Sequence, residues 1–150
     1  MPKFAKRHVS VLKSDAGYTL TEMLVVIAII ALIAAVLTPA VIGQLGRARA
    51  KTAQMQLETV AAGVETFRSD VGRYPTRQEG LQALLAEPAG VTGWTGPYLK
   101  GVRSMQDPWN HPIVYEVDDQ GQTFDVKSLG ADGREGGTGL DRDLQAPAVQ

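Results

Sequence analysis

The sequence predicts an α+β fold in which one long N-terminal helix covers a small antiparallel sheet. An unbroken apolar run, residues 23–37, resumes after two residues and ends at Gly43. Apolar residues then recur at helical spacing as far as Val71. After Gly72 the pattern changes to short segments separated by glycine- and proline-containing turns. A helix followed by a few strands is typical of the α+β class.

Length and composition exclude several classes of protein. The 150 residues correspond to about one domain. Fifteen Lys and Arg against 16 Asp and Glu give a net charge of −1, which does not favour a nucleic-acid-binding protein. The absence of cysteine excludes disulfides, thiol nucleophiles and cysteine metal sites. His8 and His111 lie too far apart in the sequence to predict a histidine-rich metal cluster.

The first element is an apolar segment long enough to cross a membrane. Residues 23–43 carry no charge and, as a helix, span roughly 30 Å, the thickness of a bilayer core. The preceding residues 1–17 have a net charge of +3, from Lys3, Lys6, Arg7 and Lys13 against Asp15. Residues 18–150 therefore carry −1 − (+3) = −4. The positive flank predicts a cytoplasmic N-terminus and an exported remainder.

Three interpretations of this segment are open from composition alone. It is a secretory signal peptide with a cleavage site at residues 38–40, a plain membrane anchor, or an anchor in which Glu22 has a specific role. A carboxylate at the edge of an apolar run is costly and usually has a partner. The simpler alternative for Glu22 is a solvated position among the lipid headgroups.

The helical pattern continues beyond the apolar segment with a single apolar face. Between Leu57 and Val71 the apolar residues form one stripe, and the charged residues fall outside it. One helix is therefore predicted from near Leu20 to near Gly72. The stripe is interpreted as the face that packs on the core.

Shorter elements follow this helix. Thr76 and Glu79 have the spacing of a capping box, which predicts a short second helix that ends before Pro88. A loop rich in glycine and proline covers residues 90–101. Two strands are predicted at residues 112–117 and 122–127, joined by a hairpin turn at residues 118–121.

Several motifs resemble those of a known family. Residues 16–24, AGYTLTEML, resemble the processing signal of type IV pilins and pseudopilins. The later motifs resemble, in order, those of the major pseudopilins of type II secretion systems: GRYPT at 72–76, QEGLQAL at 78–84, GPYLKG at 96–101, DPW at 107–109, SLGADG at 128–133 and GG at 136–137. The resemblance covers nearly all of the chain after the processing signal and implies a pilin-like fold.

The resemblance assigns roles to four residues near the N-terminus. A prepilin peptidase is expected to cut after Gly17, and Tyr18, where the family usually has phenylalanine, becomes the N-methylated first residue. Glu22 is then the fifth mature residue, and it is expected to pair with the Tyr18 amine of a neighbouring subunit during assembly. Pro39 is interpreted as a kink or locally unwound point, with a helix end as the alternative. The implied domains are a leader (1–17), a transmembrane and assembly segment (18–43) and a periplasmic domain (44–150).

The implied function is structural. The resemblance predicts a homopolymeric pseudopilus, a short helical filament that helps to export folded proteins across the outer membrane. The subunit is expected to be a single-pass protein of the bacterial inner membrane with a cytoplasmic N-terminus. Its expected partners are further copies of itself, minor pseudopilins, the prepilin peptidase, the inner-membrane assembly platform and the lipid bilayer, without nucleic acid. A type IV pilin or minor pseudopilin in adhesion or DNA uptake is the alternative, and an enzyme is not expected, because no nucleophile–base set is present.

Residues 128–143, here called the acidic loop, are the candidate metal site. Asp132, Asp141 and Asp143 offer hard oxygen ligands, a set that favours calcium over zinc or copper. The alternative is a solvated flexible loop. The resemblance implies a calcium site with Asp132 and Asp143 as ligands, Leu129 through its carbonyl, and Asp141 as a less certain fourth. Calcium would then stabilise the C-terminal part of a chain that lacks a disulfide.

Overall fold

The structure is a computed structural model that describes residues 17–147, so the predicted leader lies outside the described residues except for Gly17. The elements are α1 (Leu20–Val71), two 3₁₀ turns (Gly80–Leu84 and Val102–Met105), β1 (Val114–Val117), β2 (Phe124–Ser128) and β3 (Leu144–Ala146). The predicted long helix and both predicted strands are present within three residues of their expected bounds. The structure also contains a third strand, β3, which the sequence does not predict. The chain divides into two compact units after Ala40.

The described part of the first unit consists mainly of the first turns of α1. Every residue from Leu20 to Ala40 is exposed. By length and composition α1 qualifies as a candidate membrane span, and none of its most apolar window is buried within the protein. Apolar side chains left in water on this scale are costly, since burial of each is worth about 1.5–3 kcal/mol. This part of the helix therefore requires an apolar environment that the described residues do not supply.

Pro39 lies inside α1, which is helical on both sides of it, so this residue does not end the helix. Proline lacks an N–H group and cannot donate to the carbonyl of Ala35. One residue earlier, the Thr38 hydroxyl donates to the carbonyl of Ala34 at 2.7 Å. The helix is unbroken at this point, and the role of Pro39 in bending remains a prediction.

In the second unit, the predicted stripe of α1 forms one side of the hydrophobic core. Leu57, Val60, Val64 and Phe67 are fully buried. They share one cluster with buried residues from the turns and strands, namely Tyr74, Leu81, Ala83, Leu84, Leu99, Ile113, Val117, Val126 and Ala146. The prediction that the helix packs on the sheet is confirmed.

The sheet is antiparallel with the order β1-β2-β3. Val117 pairs with Phe124 at the hairpin end, and Ser128 pairs with Leu144 at the other edge of β2. The predicted hairpin turn is present, with Gly121 at a φ of 65° and Asp118 N–H donating to the Thr123 carbonyl at 3.0 Å. β3 was not predicted because three residues are too few to show an alternating pattern.

The predicted capping box is present, although the helix that follows it is shorter than expected. Thr76 N–H donates to Glu79 Oε2 at 2.7 Å, and Glu79 N–H donates to Thr76 Oγ1 at 3.2 Å. Two further hydrogen bonds of 2.7 Å come from the Arg73 guanidinium to the same carboxylate. Gly80 then adopts a φ of 53°, which prevents an α-helix from continuing out of the box.

The Glu79 ion pair makes stability depend on acid pH. Hydrogen bonds from Arg73, opposed in part by burial, lower the pKa of Glu79 from 4.5 to about 2. Because the folded pKa is the lower one, the stabilisation is complete above pH 4.5 and is lost as the pH falls towards 2. After allowance for screening at the partly exposed Arg73, Glu79→Gln is expected to lower the free energy of unfolding by about 2 kcal/mol at pH 7. Urea unfolding of the detergent-solubilised chain from pH 7 to 2 measures this.

The matched control is Glu87→Gln, at an exposed position in the same segment. We expect the control to keep the wild-type acid dependence and Glu79→Gln to flatten it. Equal profiles for the two variants would contradict the assignment.

Candidate functional site

The residues around the predicted cut precede the helix. Gly17, Tyr18 and Thr19 have no regular structure and are exposed, and the Tyr18 side chain is 81% accessible. Apart from its chain neighbours, no atom of the described residues 17–147 lies within 4 Å of the position that a Cβ would take at Gly17. An accessible peptide outside regular structure is suited to proteolysis. Cleavage after Gly17 and methylation of Tyr18 remain predictions.

Glu22 caps the first turn of α1. Its Oε2 accepts hydrogen bonds from Thr19 N–H at 2.8 Å and from the Thr19 hydroxyl at 2.9 Å. Glu22 N–H in turn donates to Thr19 Oγ1 at 3.1 Å, which completes a capping box. The spacing of Thr19 and Glu22 is a sequence signal for this box, which the resemblance to a processing signal does not bring out.

The capping box fixes where the Glu22 carboxylate lies. Both residues of the box follow Gly17, so a cut there leaves the box intact. Both hydrogen bonds fall on Oε2, and within the described part of the chain Oε1 accepts none. The carboxylate is therefore held at the start of the helix with one oxygen available to a further donor. Its pairing with the Tyr18 amine of another subunit stays a prediction.

In the second unit, the acidic loop connects β2 to β3 and folds back on itself at two glycines. Gly130 and Gly137 have φ values of 67° and 91°. A Cβ at Gly130 would lie 2.6 Å from the Asp141 carbonyl oxygen, and a Cβ at Gly137 would lie 2.5 Å from the same atom. Only glycine satisfies both the backbone angle and the close approach. Two turns of the loop thus converge on one carbonyl.

The three aspartates of the loop differ in their environments. Asp143 Oδ2 accepts a hydrogen bond from Gly136 N–H at 2.9 Å, whereas Asp143 Oδ1 is buried without a hydrogen-bond partner. Asp132 and Asp141 are exposed, and Asp132 Oδ1 accepts from Arg134 N–H at 3.2 Å. Within residues 17–147, no three acidic or histidine side chains are close enough together to hold a metal ion. The structure therefore does not gather the predicted carboxylates, but it leaves one buried oxygen unsatisfied.

A buried aspartate outside the loop supports the point where the loop begins. Asp107 Oδ1 accepts hydrogen bonds from the backbone N–H groups of Trp109 at 3.0 Å and His111 at 2.8 Å. Its Oδ2 accepts from the hydroxyl of Ser128, the last residue of β2, at 2.6 Å. In the sequence, Asp107 stands out only as the first residue of the DPW motif at residues 107–109. Burial of its carboxylate against Ser128 depends on tertiary packing and has no sequence signal.

His111 and Leu140 hold the loop on two further sides. His111 Nδ1 lies 3.2 Å from the Gly130 carbonyl, and its ring packs against Gly133. On the other side, the Leu140 side chain occupies the space above Gly46 of α1, where any Cβ would overlap it. The loop is thus attached to the turn at residues 107–111 and to the helix.

An apolar helix that requires external cover and a sheet-backed domain together define a pilin-like protein. A solved structure supports this class: the crystal structure of the major pseudopilin from the type 2 secretion system of enterohaemorrhagic Escherichia coli. The similarity covers 70% of this chain and 91% of that one, with a TM-score of 0.55 and 25% sequence identity.

Comparison of sequences specifies the family. Residues 40–147 match the family described as type II secretion system protein G, and residues 12–38 match the prokaryotic N-terminal methylation motif. The type II secretion system core protein G of Xanthomonas campestris pv. campestris is 41% identical over 87% of this chain and 89% of that protein. The corresponding protein of Pseudomonas aeruginosa is 35% identical over 88% and 94%.

The chain therefore belongs to the type II secretion protein G family, the major pseudopilins. The resemblance drawn from the sequence motifs is confirmed. Proteins of this family are structural and not enzymatic, so the expectation that the chain is not an enzyme is confirmed as well. The match to the protein G family also favours the major pseudopilin over a type IV pilin or a minor pseudopilin.

Removal of the Asp107 carboxylate is expected to destabilise the second unit. Asp107→Ala leaves two partly buried N–H groups and the buried Ser128 hydroxyl without their acceptor, and each lost partner costs about 1–3 kcal/mol. We expect a decrease of about 3 kcal/mol in the free energy of unfolding, measured by urea denaturation. Asp119→Ala, at an exposed turn position, is expected to change it by less than about 0.5 kcal/mol. Similar values for both variants would show that Asp107 has no supporting role.

Proposed function

We propose that this chain polymerises into the pseudopilus, a short helical filament that helps to export folded proteins across the outer membrane. The observation that carries the proposal is the exposed apolar surface of α1 from Leu20 to Ala40, in a chain that matches both the methylation motif and the protein G family. A head-to-tail contact that does not close on itself generates a filament.

The physical requirement of α1 explains how assembly proceeds. In the membrane, lipid covers the apolar residues of the helix; in the filament, the same residues are covered by the helices of neighbouring copies. Assembly therefore exchanges one apolar environment for another, and the hydrophobic term changes little. Specific polar contacts then decide the register between subunits.

Glu22 is the residue proposed to set this register. Cleavage after Gly17 gives Tyr18 a free or methylated amine, which is a cation at neutral pH. The capping box holds the Glu22 carboxylate at the start of the helix, with Oε1 available to that amine in a neighbouring copy. A pair of opposite charges attracts strongly in an apolar environment, whereas either charge alone is costly there.

The proposed location is the bacterial inner membrane, crossed once, with the N-terminus cytoplasmic. Residues 1–17 form the leader, residues 18–43 the transmembrane and assembly segment, and residues 44–150 the periplasmic domain. The proposed partners are the prepilin peptidase, minor pseudopilins, the assembly platform and the lipid bilayer. Residues 18–150 carry a net charge of −4, which does not favour contact with nucleic acid.

We also propose that the acidic loop binds calcium. The unsatisfied Asp143 Oδ1 and the two glycine turns that converge on the Asp141 carbonyl support this, because calcium prefers carboxylate and carbonyl oxygens. Asp143, Asp132, Asp141 and the Leu129 carbonyl would hold the ion. Calcium would supply the positive charge that the buried oxygen lacks and would fix the loop between β2 and β3.

A pair of substitutions separates the capping role of Glu22 from its assembly role. Glu22→Gln keeps a side chain that completes a capping box but removes the charge, whereas Glu22→Ala removes both. If the charge pairs with a neighbouring amine, both variants insert into the membrane but assemble poorly. We expect the number of surface pili formed on overexpression to fall at least about tenfold in both. Electron microscopy of sheared filaments measures this, with membrane fractionation as the insertion control. Normal filaments from Glu22→Gln would show that the charge of Glu22 is not needed for assembly and that the residue acts only as a helix cap.

Calcium binding is tested by thermal unfolding with calcium and with a chelator. We expect calcium to raise the melting temperature of the detergent-solubilised chain by about 4 °C or more, because the ion binds the folded loop. Asp143→Asn should abolish the rise, whereas Glu135→Gln, at an exposed position in the same loop, should retain it. An unchanged melting temperature for the wild-type chain would refute the calcium site.

A further inference from the structure

A compact group of cations lies on α1 directly after its apolar part. Arg47, Arg49 and Lys51, here called the basic collar, place a charge of +3 within five residues, and all three are exposed. Residues 18–150 carry −4, so the remainder of that segment carries −4 − (+3) = −7. The collar is thus a local concentration of positive charge in a segment whose other residues carry a negative net charge.

The basic collar has no anionic partner within the described part of the chain. Arg47 Nη2 donates to the neutral Gln44 Oε1 at 2.9 Å, and none of the three collar residues takes part in an ion pair among residues 17–147. By contrast, Arg73 and Lys127 each lie within 3.3 Å of a carboxylate. The collar charges are thus available to a partner outside the described part of the chain.

The residues on the N-terminal side of the collar are apolar and exposed. Val41, Ile42 and Leu45 are each more than half accessible. At about 1.5 Å per residue, the collar begins about 3 Å beyond Leu45 and extends over about 6 Å. The headgroup layer on each side of a bilayer is about 5–8 Å thick, so the collar has the right length and position to lie within it.

The collar residues lie on two opposite sides of the helix and do not form one face. At about 100° per residue, Lys51 lies about 40° from Arg47, and Arg49 lies about 160° away on the opposite side. Gly46 and Ala50 are half-buried and lie between these directions. A single acidic protein surface approaches from one direction, whereas lipid headgroups can contact the helix from two opposite sides. Cations on opposite sides of the helix therefore favour contact with a headgroup layer over contact with one protein surface.

We propose that the basic collar binds the phosphates of anionic phospholipids at the exported surface of the membrane. This inference rests on the proposed membrane anchoring of α1. The guanidinium groups of Arg47 and Arg49 donate in pairs to phosphate oxygens, and the Lys51 ammonium adds a point charge. The contact fixes the depth of the helix in the bilayer and must be released when the subunit leaves the membrane for the filament.

The absence of cysteine permits a direct measurement. A donor fluorophore on Ala48→Cys, an exposed position within the collar, reports on nearby lipids in vesicles that contain the full chain. The vesicles are phosphatidylcholine with a trace of acceptor-labelled headgroups, either phosphatidylglycerol or phosphatidylcholine. We expect energy transfer to the phosphatidylglycerol acceptor to be at least about twofold greater, and to fall to parity in R47Q/R49Q/K51Q and in about 0.5 M salt.

The control variant is K100Q/R103Q/R134Q, which removes the same charge at exposed positions outside the collar. It should retain the preference for phosphatidylglycerol. No preference in the parent chain, or an equal loss in both triple variants, overturns the proposal. Loss of filaments in R47Q/R49Q/K51Q with unchanged lipid preference assigns the collar to a second copy and also overturns it. Flotation with vesicles tests the anchoring separately, and a chain that fails to float refutes both.

Discussion

Leu57, Val64 and Phe67 lie on one face of α1 and are fully buried. The sheet and the turns at residues 74–99 are held in place because they pack over that face. Burial of these side chains is the main favourable term available to a chain without a disulfide. The Arg73–Glu79 pair and the capping box secure the segment that leaves the helix and returns over the core. The rest of the second unit is built outward from this contact.

Polar contacts hold the acidic loop, which lies outside the hydrophobic core. The acidic loop has few apolar side chains, so its position depends on Asp107 and Ser128 at its start, on His111 against Gly130, and on Leu140 against α1. One oxygen, Asp143 Oδ1, is left unsatisfied by this network. An unsatisfied buried oxygen costs free energy, and a bound cation would recover that cost. The proposed calcium site is in this sense a consequence of folding an acidic loop without a disulfide.

The apolar half of α1 imposes a different requirement, because no surface among residues 17–147 covers it. Lipid and neighbouring subunits are two environments that satisfy it about equally, which makes transfer between them possible. Because both environments cover the apolar side chains, the hydrophobic free energy does not favour a subunit in the membrane over a subunit among its neighbours. In the proposed transfer, the charges at either end of the apolar segment, Glu22 and the basic collar, would be the groups whose environment changes most.

The sequence by itself determined the features that depend on spacing along the chain: the membrane-length segment, the buried stripe of α1, the capping box at Thr76 and Glu79, the hairpin and the family motifs. Local periodicity encodes each of these directly. Only the tertiary structure decided the pairing of β3 with β2, the burial of Asp107 against Ser128 and the contact of Leu140 with Gly46. These contacts join residues 16 to 94 positions apart, and no local pattern reports which distant group will be the partner. The structure also showed that Asp132 and Asp141 remain exposed while Asp143 is partly buried, because their burial depends on how the glycine turns fold the loop.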